Sequence, residues 1–161
     1  MNPQKNNYAF IDSQNLNLAI RDQGWALDFR RFRIYLRDKY NIAKAFLFIG
    51  YVPTNQSLYT ALQDHGYILI FKPTLVLVGG AVKGNIDAEL VLHAMIEYDH
   101  YDKAVLISGD GDFHCLVEYL KKQGKLEKLI VPNRHKFSSL LRKFAPDMAF
   151  MNDLRGKLEY K

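Results

Sequence analysis

A chain of 161 residues that is 48% hydrophobic and 13% aromatic can bury a sizeable core and is not disordered throughout. Its net charge of +5 suits a polyanionic partner. A single cysteine, Cys115, excludes an intramolecular disulfide, and Lys72 and Pro73 interrupt the apolar stretch 67–78, so that stretch cannot span a membrane. The N-terminus lacks the apolar stretch of a signal peptide, so a soluble, cytoplasmic protein is expected. Cys115 lies in an apolar helical run and is expected to be a buried small hydrophobe. Residues 1–7 and 156–161 are polar and are expected to be disordered.

In chain order, residues 8–12 form a short apolar run that reads as a buried strand. Residues 13–22 and 28–40 read as helices; the second sets Phe29, Phe32, Leu36 and Tyr40 near one face. A strand at 44–52 precedes Pro53, and Thr54 is placed to cap a helix that ends at Gly66. Residues 67–71 form a third strand, with Pro73 expected to break the pattern. Residues 74–78 have strong β propensity and read as an extra edge strand. A helix over 85–100 repeats Leu90, Ala94 and Tyr98 at helical spacing. Strand 104–108, helix 112–123, strand 127–131, helix 136–144 and a short strand at 148–151 complete the chain. There is no internal repeat or linker, so one domain over 1–161 is expected, with its core at about 8–151. The alternation predicts an α/β fold: a three-layer α/β/α sandwich with a mainly parallel central sheet.

Open parallel sheets bind ligands outside the carboxyl ends of their strands, and the acidic residues fall on that edge. Asp12 closes the first strand in Phe10-Ile11-Asp12-Ser13-Gln14-Asn15. Asp110 and Asp112 follow strand 104–108 in Ser108-Gly109-Asp110-Gly111-Asp112-Phe113. Asp87 opens a helix after Gly84-Asn85-Ile86. Taken singly, Asp87 and Asp112 also fit ordinary helix-start acids. An acid directly after an apolar strand, as at Asp12 and Asp110, must instead face a polar opening. Carboxylates about 5 Å apart repel by roughly 3 kcal/mol at an effective dielectric of 20. Four at one edge therefore call for a proton or a hard cation such as Mg²⁺. Asn15 and Ser108 are positioned either to support that site or to bond locally. Lys83, just before Gly84 and close to Asp87, is a candidate phosphate contact or else a solvent-exposed lysine. Glu89 lies on another helix face and is left out of the ligand set, and His93 is read as packing.

Basic residues cluster twice. Lys121, Lys122, Lys125, Lys128, Arg134, Lys136, Arg142 and Lys143 are opposed within their segment only by Glu127, and Arg30, Arg31, Arg33 and Arg37 form a second group. Such clusters suit a nucleic-acid backbone, or else a solvated helix face.

Three segments, Phe10-Ile11-Asp12-Ser13-Gln14-Asn15, Lys83-Gly84-Asn85-Ile86-Asp87-Ala88-Glu89-Leu90 and Ser108-Gly109-Asp110-Gly111-Asp112-Phe113, closely resemble the NYN domain, a LabA-like branch of the PIN-like nuclease superfamily. Their order and spacing extend the resemblance from about Tyr8 to Met151. It implies a PIN-like fold and a Mg²⁺- or Mn²⁺-dependent ribonuclease. Asp12, Asp87, Asp110 and Asp112 would be its catalytic and metal-binding acids, with Asn15 and Ser108 as supporting residues. RNA is then the expected partner, with Lys83, Arg134 and Lys136 guiding its backbone. The apolar segment 74–82 is a candidate surface for a second copy or a protein partner.

The rival from another class is a regulatory RNA- or protein-binding module on the same fold that does not cleave. A small-molecule phosphatase is disfavoured because Gln14 stands where its second aspartate would be needed as general acid. A dinucleotide fingerprint fails because His114 replaces the third glycine after Gly109 and Gly111.

Overall fold

The computed structural model describes residues 5–73, 75–76, 82–83 and 86–161, with the backbone alone at 73, 75, 76, 82 and 83. Every residue of β1 (Asn7–Asp12) is buried. Its apolar side chains alternate between two cores: Tyr8 and Phe10 point to one side of the sheet, Ala9 and Ile11 to the other. A strand apolar on both faces must sit mid-sheet with both faces covered. β2 (Ile42–Tyr51) and β6 (Ala104–Ile107) flank it. With β3 (Tyr67–Pro73), β7 (Leu126–Val131) and β8 (Met148–Phe150) they make a six-stranded sheet in the order β3-β2-β1-β6-β7-β8, parallel throughout.

Parallel neighbours need crossovers, and helices supply them. On one face lie α1 (Ser13–Asp22), α2 (Phe29–Tyr40), α3 (Gln56–Asp64) and α6 (Arg155–Leu158), which bury Leu16, Ile20, Phe32, Leu36, Leu62 and Leu158. The opposite face carries α4 (Asp87–Ile96), α5 (His114–Lys122) and a 3₁₀ stretch, Ser139–Asp147. There Phe10 stacks on Phe46 at 5.5 Å between centroids and meets Tyr101 edge-on at 5.5 Å. The three-layer sandwich expected from the sequence is therefore present.

Several local expectations are corrected. Thr54 does not cap α3; it lies inside a 3₁₀ turn, Pro53–Asn55, that precedes the helix. Pro73 does not stop β3 early but pairs with Tyr51, because β3 is an edge strand whose outer amides need no partner. Residues 75–76 (β4) pair antiparallel with 82–83 (β5) as a separate ribbon rather than as an edge of the main sheet; the rest of 74–81 lies outside the described residues. Helix 85–100 is shorter at both ends: α4 begins at Asp87, and Tyr98–His100 forms a 3₁₀ turn. The expected helix 136–144 is instead the 3₁₀ stretch starting at Ser139. The Ser138 amide donates to Gly109 O at 3.1 Å and its hydroxyl caps Leu140, which fixes the start, and Pro146 disfavours α geometry before it.

Two burial expectations are corrected as well. Cys115 is exposed, because the inward face of α5 is set by Leu116, Val117 and Leu120. Residues 1–4 lie outside the described residues, but the residues at 7 and 158–160 are tied into the fold rather than loose as their polarity suggests. Asn7 is fully buried, donating to Tyr40 O and accepting from the Lys103 amide. Leu158 is buried, Glu159 bridges to Leu27, and the Tyr160 amide donates to Ala26 O at 2.8 Å.

Candidate functional site

The strand order changes direction at β1, since β2 lies to one side of it and β6 to the other. In an open α/β sheet, a crevice forms at the carboxyl ends of strands flanking such a reversal. Ile11 pairs with Ile107, so Asp12 and Ser108 emerge side by side. The Ser108 hydroxyl donates to Asp12 Oδ2 at 3.0 Å and accepts from the Asp110 amide at 3.1 Å. Asn15 makes the second stitch: its amide donates to Asp12 Oδ1 at 3.2 Å, and its side-chain oxygen accepts from the Gly109 amide at 2.8 Å. The two loops are thereby locked to each other, and Asp12, only 4% exposed, has both oxygens fixed.

The third segment arrives from the other face. Asp87 is the first residue of α4, after Ile86, which makes no side-chain capping bond. Asp12 caps α1, and Asp110 accepts from the Asp112 amide at 2.9 Å. One oxygen each from Asp12, Asp87 and Asp110 lies within 4.8 Å of the other two. These three line a cleft of about 250 Å³ together with Gln14, Asn15, Leu18 and Ile86.

Electrostatics follow from this crowding. Burial pushes the Asp12 carboxyl above its ordinary range; the Asn15 amide and Ser108 hydroxyl hold it back, and the Asp110 charge pushes it further. Asp87 is pushed up to about 7, first by burial, then by the Asp110 charge, a hydrogen bond with Asp112, and the charges of Asp12 and Asp112. Ionised oxygens at 4.8 Å repel by about 3.5 kcal/mol at an effective dielectric of 20.

Of the acids expected at this edge, the structure gathers three and leaves Asp112 outside the trio, exposed but within hydrogen-bonding reach of Asp87. Lys83 stands on β5, and its side chain lies outside the described residues. Lys136 is exposed, and its backbone carbonyl sits 3.7 Å from where a side chain on Gly109 would begin. Arg134 is engaged elsewhere, paired with Asp153 at 2.5 Å and lying over the Phe150 ring. Much of the basic segment is similarly committed. Lys121 pairs with Asp147, Lys143 with Glu118, and Lys125 donates to the carbonyls of Tyr98 and Tyr101. Arg33 donates to the carbonyls of Ile42, Ala43 and Gly66. Glu89 faces Lys72, and His93 packs on Phe48, as expected for residues outside the site.

The sequence reading missed Gln14 and Leu18, which line the cleft one helical turn apart; the 3.6-residue period of α1 was the available signal. It also missed Ser138, whose hydroxyl would lie 2.2 Å from a Cβ on Gly111, so only glycine lets segment 136–138 cross the acidic loop.

Comparison with known proteins agrees with this architecture. A low amplitude and bright protein LabA from Synechococcus elongatus is 27% identical over 169 aligned positions, covering 93% of this chain and 86% of that protein. A crystal structure of a protein of unknown function from Vibrio parahaemolyticus shares the fold, with a TM-score of 0.78 and 22% identity over 99% of both chains. The family model for the NYN domain matches residues 8–152, which takes in β1, the acidic loops and β8. The chain therefore belongs to the NYN domain family, within the PIN-like nuclease superfamily.

Proposed function

We propose that this protein is a metal-dependent ribonuclease that hydrolyses RNA phosphodiester bonds in the cleft between the ends of β1 and β6. The observation that carries the reading is the carboxylate trio of Asp12, Asp87 and Asp110, delivered by three separate segments to within 4.8 Å. The donor set is all oxygen, as hard divalent cations require. Asp12, Asp87 and Asp110 would hold Mg²⁺ or Mn²⁺, their oxygens already lying within 4.8 Å of one another. Such an ion, when bound, supplies a more acidic coordinated water and a counter-charge for phosphoryl oxygens.

The chain's own groups prepare that chemistry. Ser108 and Asn15 hold Asp12 in one orientation, so its carboxylate needs no reorganisation. Asp87 holds a proton up to about pH 7 and would have to release it to hold a cation. Asp112, exposed and hydrogen-bonded to Asp87, adds a fourth carboxylate beside the trio. Lys136, exposed and with its backbone carbonyl beside Gly109, is assigned to the RNA backbone. Among the described residues no helix is long and apolar enough to cross a membrane.

The test incubates purified protein with labelled single-stranded RNA and matched DNA in Mn²⁺, Mg²⁺ or EDTA, with Asp110→Asn alongside. Metal-dependent cleavage of RNA that is lost in the variant is the expected result. A well-folded wild type that retains RNA in a gel and never cleaves it would replace this reading with the binding module.

A further inference from the structure

We propose that the outer ridge of α1 carries single-stranded RNA from the acidic cleft into a second groove, where Arg21 takes a phosphate and an aromatic floor takes a base. The identity of the strand rests on the ribonuclease reading; the groove rests on geometry of its own.

Gln14 and Leu18 line the acidic cleft, whereas Asn17 and Arg21 line a separate groove of about 270 Å³ whose floor includes Ile20, Trp25 and Phe29. The four ridge residues stand at i, i+3, i+4 and i+7, which places them on one strip of the helix. All four are exposed, Leu18 at 41% despite being apolar. From Gln14 to Arg21 the helix rises about 10 Å, so the two cavities are within reach of neighbouring nucleotides on one strand.

Arg21, like Arg30 and Arg142, is left without a partner among the described residues, and of the three it is the one that lines the groove. Arg31, Arg33, Arg37 and Arg134 are committed to carboxylates or carbonyls, but the Arg21 side chain makes no ion pair or hydrogen bond among the described residues. Asp28, beside the groove floor, caps α2 and pairs with Arg31, so it does not neutralise Arg21. The floor is held rigid as well. The Trp25 indole N–H donates to Gln23 Oε1 at 3.3 Å, and the Gln23 amide donates to the carbonyls of Ala19 and Pro132. Single strands are bound where a cation tracks the backbone and an aromatic ring takes a base of any identity; here the ring surface on offer is half-buried Phe29, with only an edge of Trp25, which is 6% exposed. A cavity this small fits one flat base better than a larger ligand.

Trp25 is the only tryptophan in the chain, so the groove carries its own reporter. The full chain in EDTA, where cleavage cannot interfere, is titrated with short oligouridylate while Trp25 emission is followed. Saturable quenching is expected, and Arg21→Ala should weaken binding about tenfold and reduce the salt slope by about 0.7, one single-strand phosphate contact. Arg21→Lys should retain most of the affinity. The Mn²⁺-induced shift in Tm should be the same in Arg21→Ala and wild type, showing an intact acidic cleft. Wild-type affinity in Arg21→Ala, emission that ignores RNA, or no RNA binding by the wild type would each overturn the groove. The two readings fail separately. RNA cleavage with unchanged KM in Arg21→Ala removes the groove and keeps the nuclease. Arg21-dependent quenching in a protein that never cleaves does the reverse.

Discussion

Replacing Asp87 by asparagine should stabilise the metal-free protein at alkaline pH while removing its response to metal. The Asp87 carboxyl is held up to about 7 by burial and by Asp110, Asp112 and Asp12, against an ordinary value of 3.8. Between those two pH values the unfolded chain has released this proton and the folded chain has kept it, so unfolding free energy falls as pH rises. The contribution is therefore full below about pH 4 and has been lost by the time pH passes 7. Unscreened, the loss would reach about 4 kcal/mol at 1.36 kcal/mol per pH unit. Because Asp87 is only partly buried at an open cleft, screening leaves about 1–2 kcal/mol. Asparagine carries no charge at any pH and escapes the loss. Thermal and urea unfolding in EDTA, followed by circular dichroism, should show Asp87→Asn level with wild type near pH 4. At pH 8 it should be more stable, by about 3–6 °C in Tm for a chain of this size. Adding Mn²⁺ at about 100 times its Kd should then raise wild type by about 2.7 kcal/mol and leave the variant nearly unmoved. A variant no more stable than wild type at pH 8 would refute the claim that these carboxylates crowd one another.

Three further outcomes follow from single contacts. Ser108→Ala removes the hydroxyl shared by Asp12 and the Asp110 amide; it should cost about 1–3 kcal/mol by urea unfolding and weaken Mn²⁺ binding, read by the Tm shift. Gly111→Ala drives a methyl to 2.2 Å from Ser138 Oγ and should destabilise by about 1–3 kcal/mol, with partial recovery in the double variant Gly111→Ala/Ser138→Gly. Lys125→Ala strands the carbonyls of Tyr98 and Tyr101 and empties the space over both rings; it should cost about 2–4 kcal/mol and leave the salt slope of RNA binding unchanged, since this lysine is already committed.

The sequence alone determined the layering and the edge on which the acids stand. Both are local properties: runs such as Ala9 to Ile11 demand a strand covered on two faces, and Asp12 or Asp110 directly after such a run must face its open end. It also separated Glu89 and His93 from the site through helical period. Only the tertiary structure decided which carboxylates meet. Asp87 comes from the opposite layer, and its distance to Asp12 and Asp110 depends on how α4 packs beside β1, which no spacing within the sequence encodes. The same holds for Asp112, which shares a loop with Asp110 but points out of the trio because Asp110 turns back to cap the Asp112 amide. Charge was the least legible property. Arg33, Lys125 and Arg134 look like surface cations along the chain, yet folding brings carbonyls or carboxylates to them from distant segments, while Arg21, alone in its stretch of sequence, is left facing an open groove. A side chain's charge is written in the sequence; whether it is already satisfied depends on neighbours that only folding supplies.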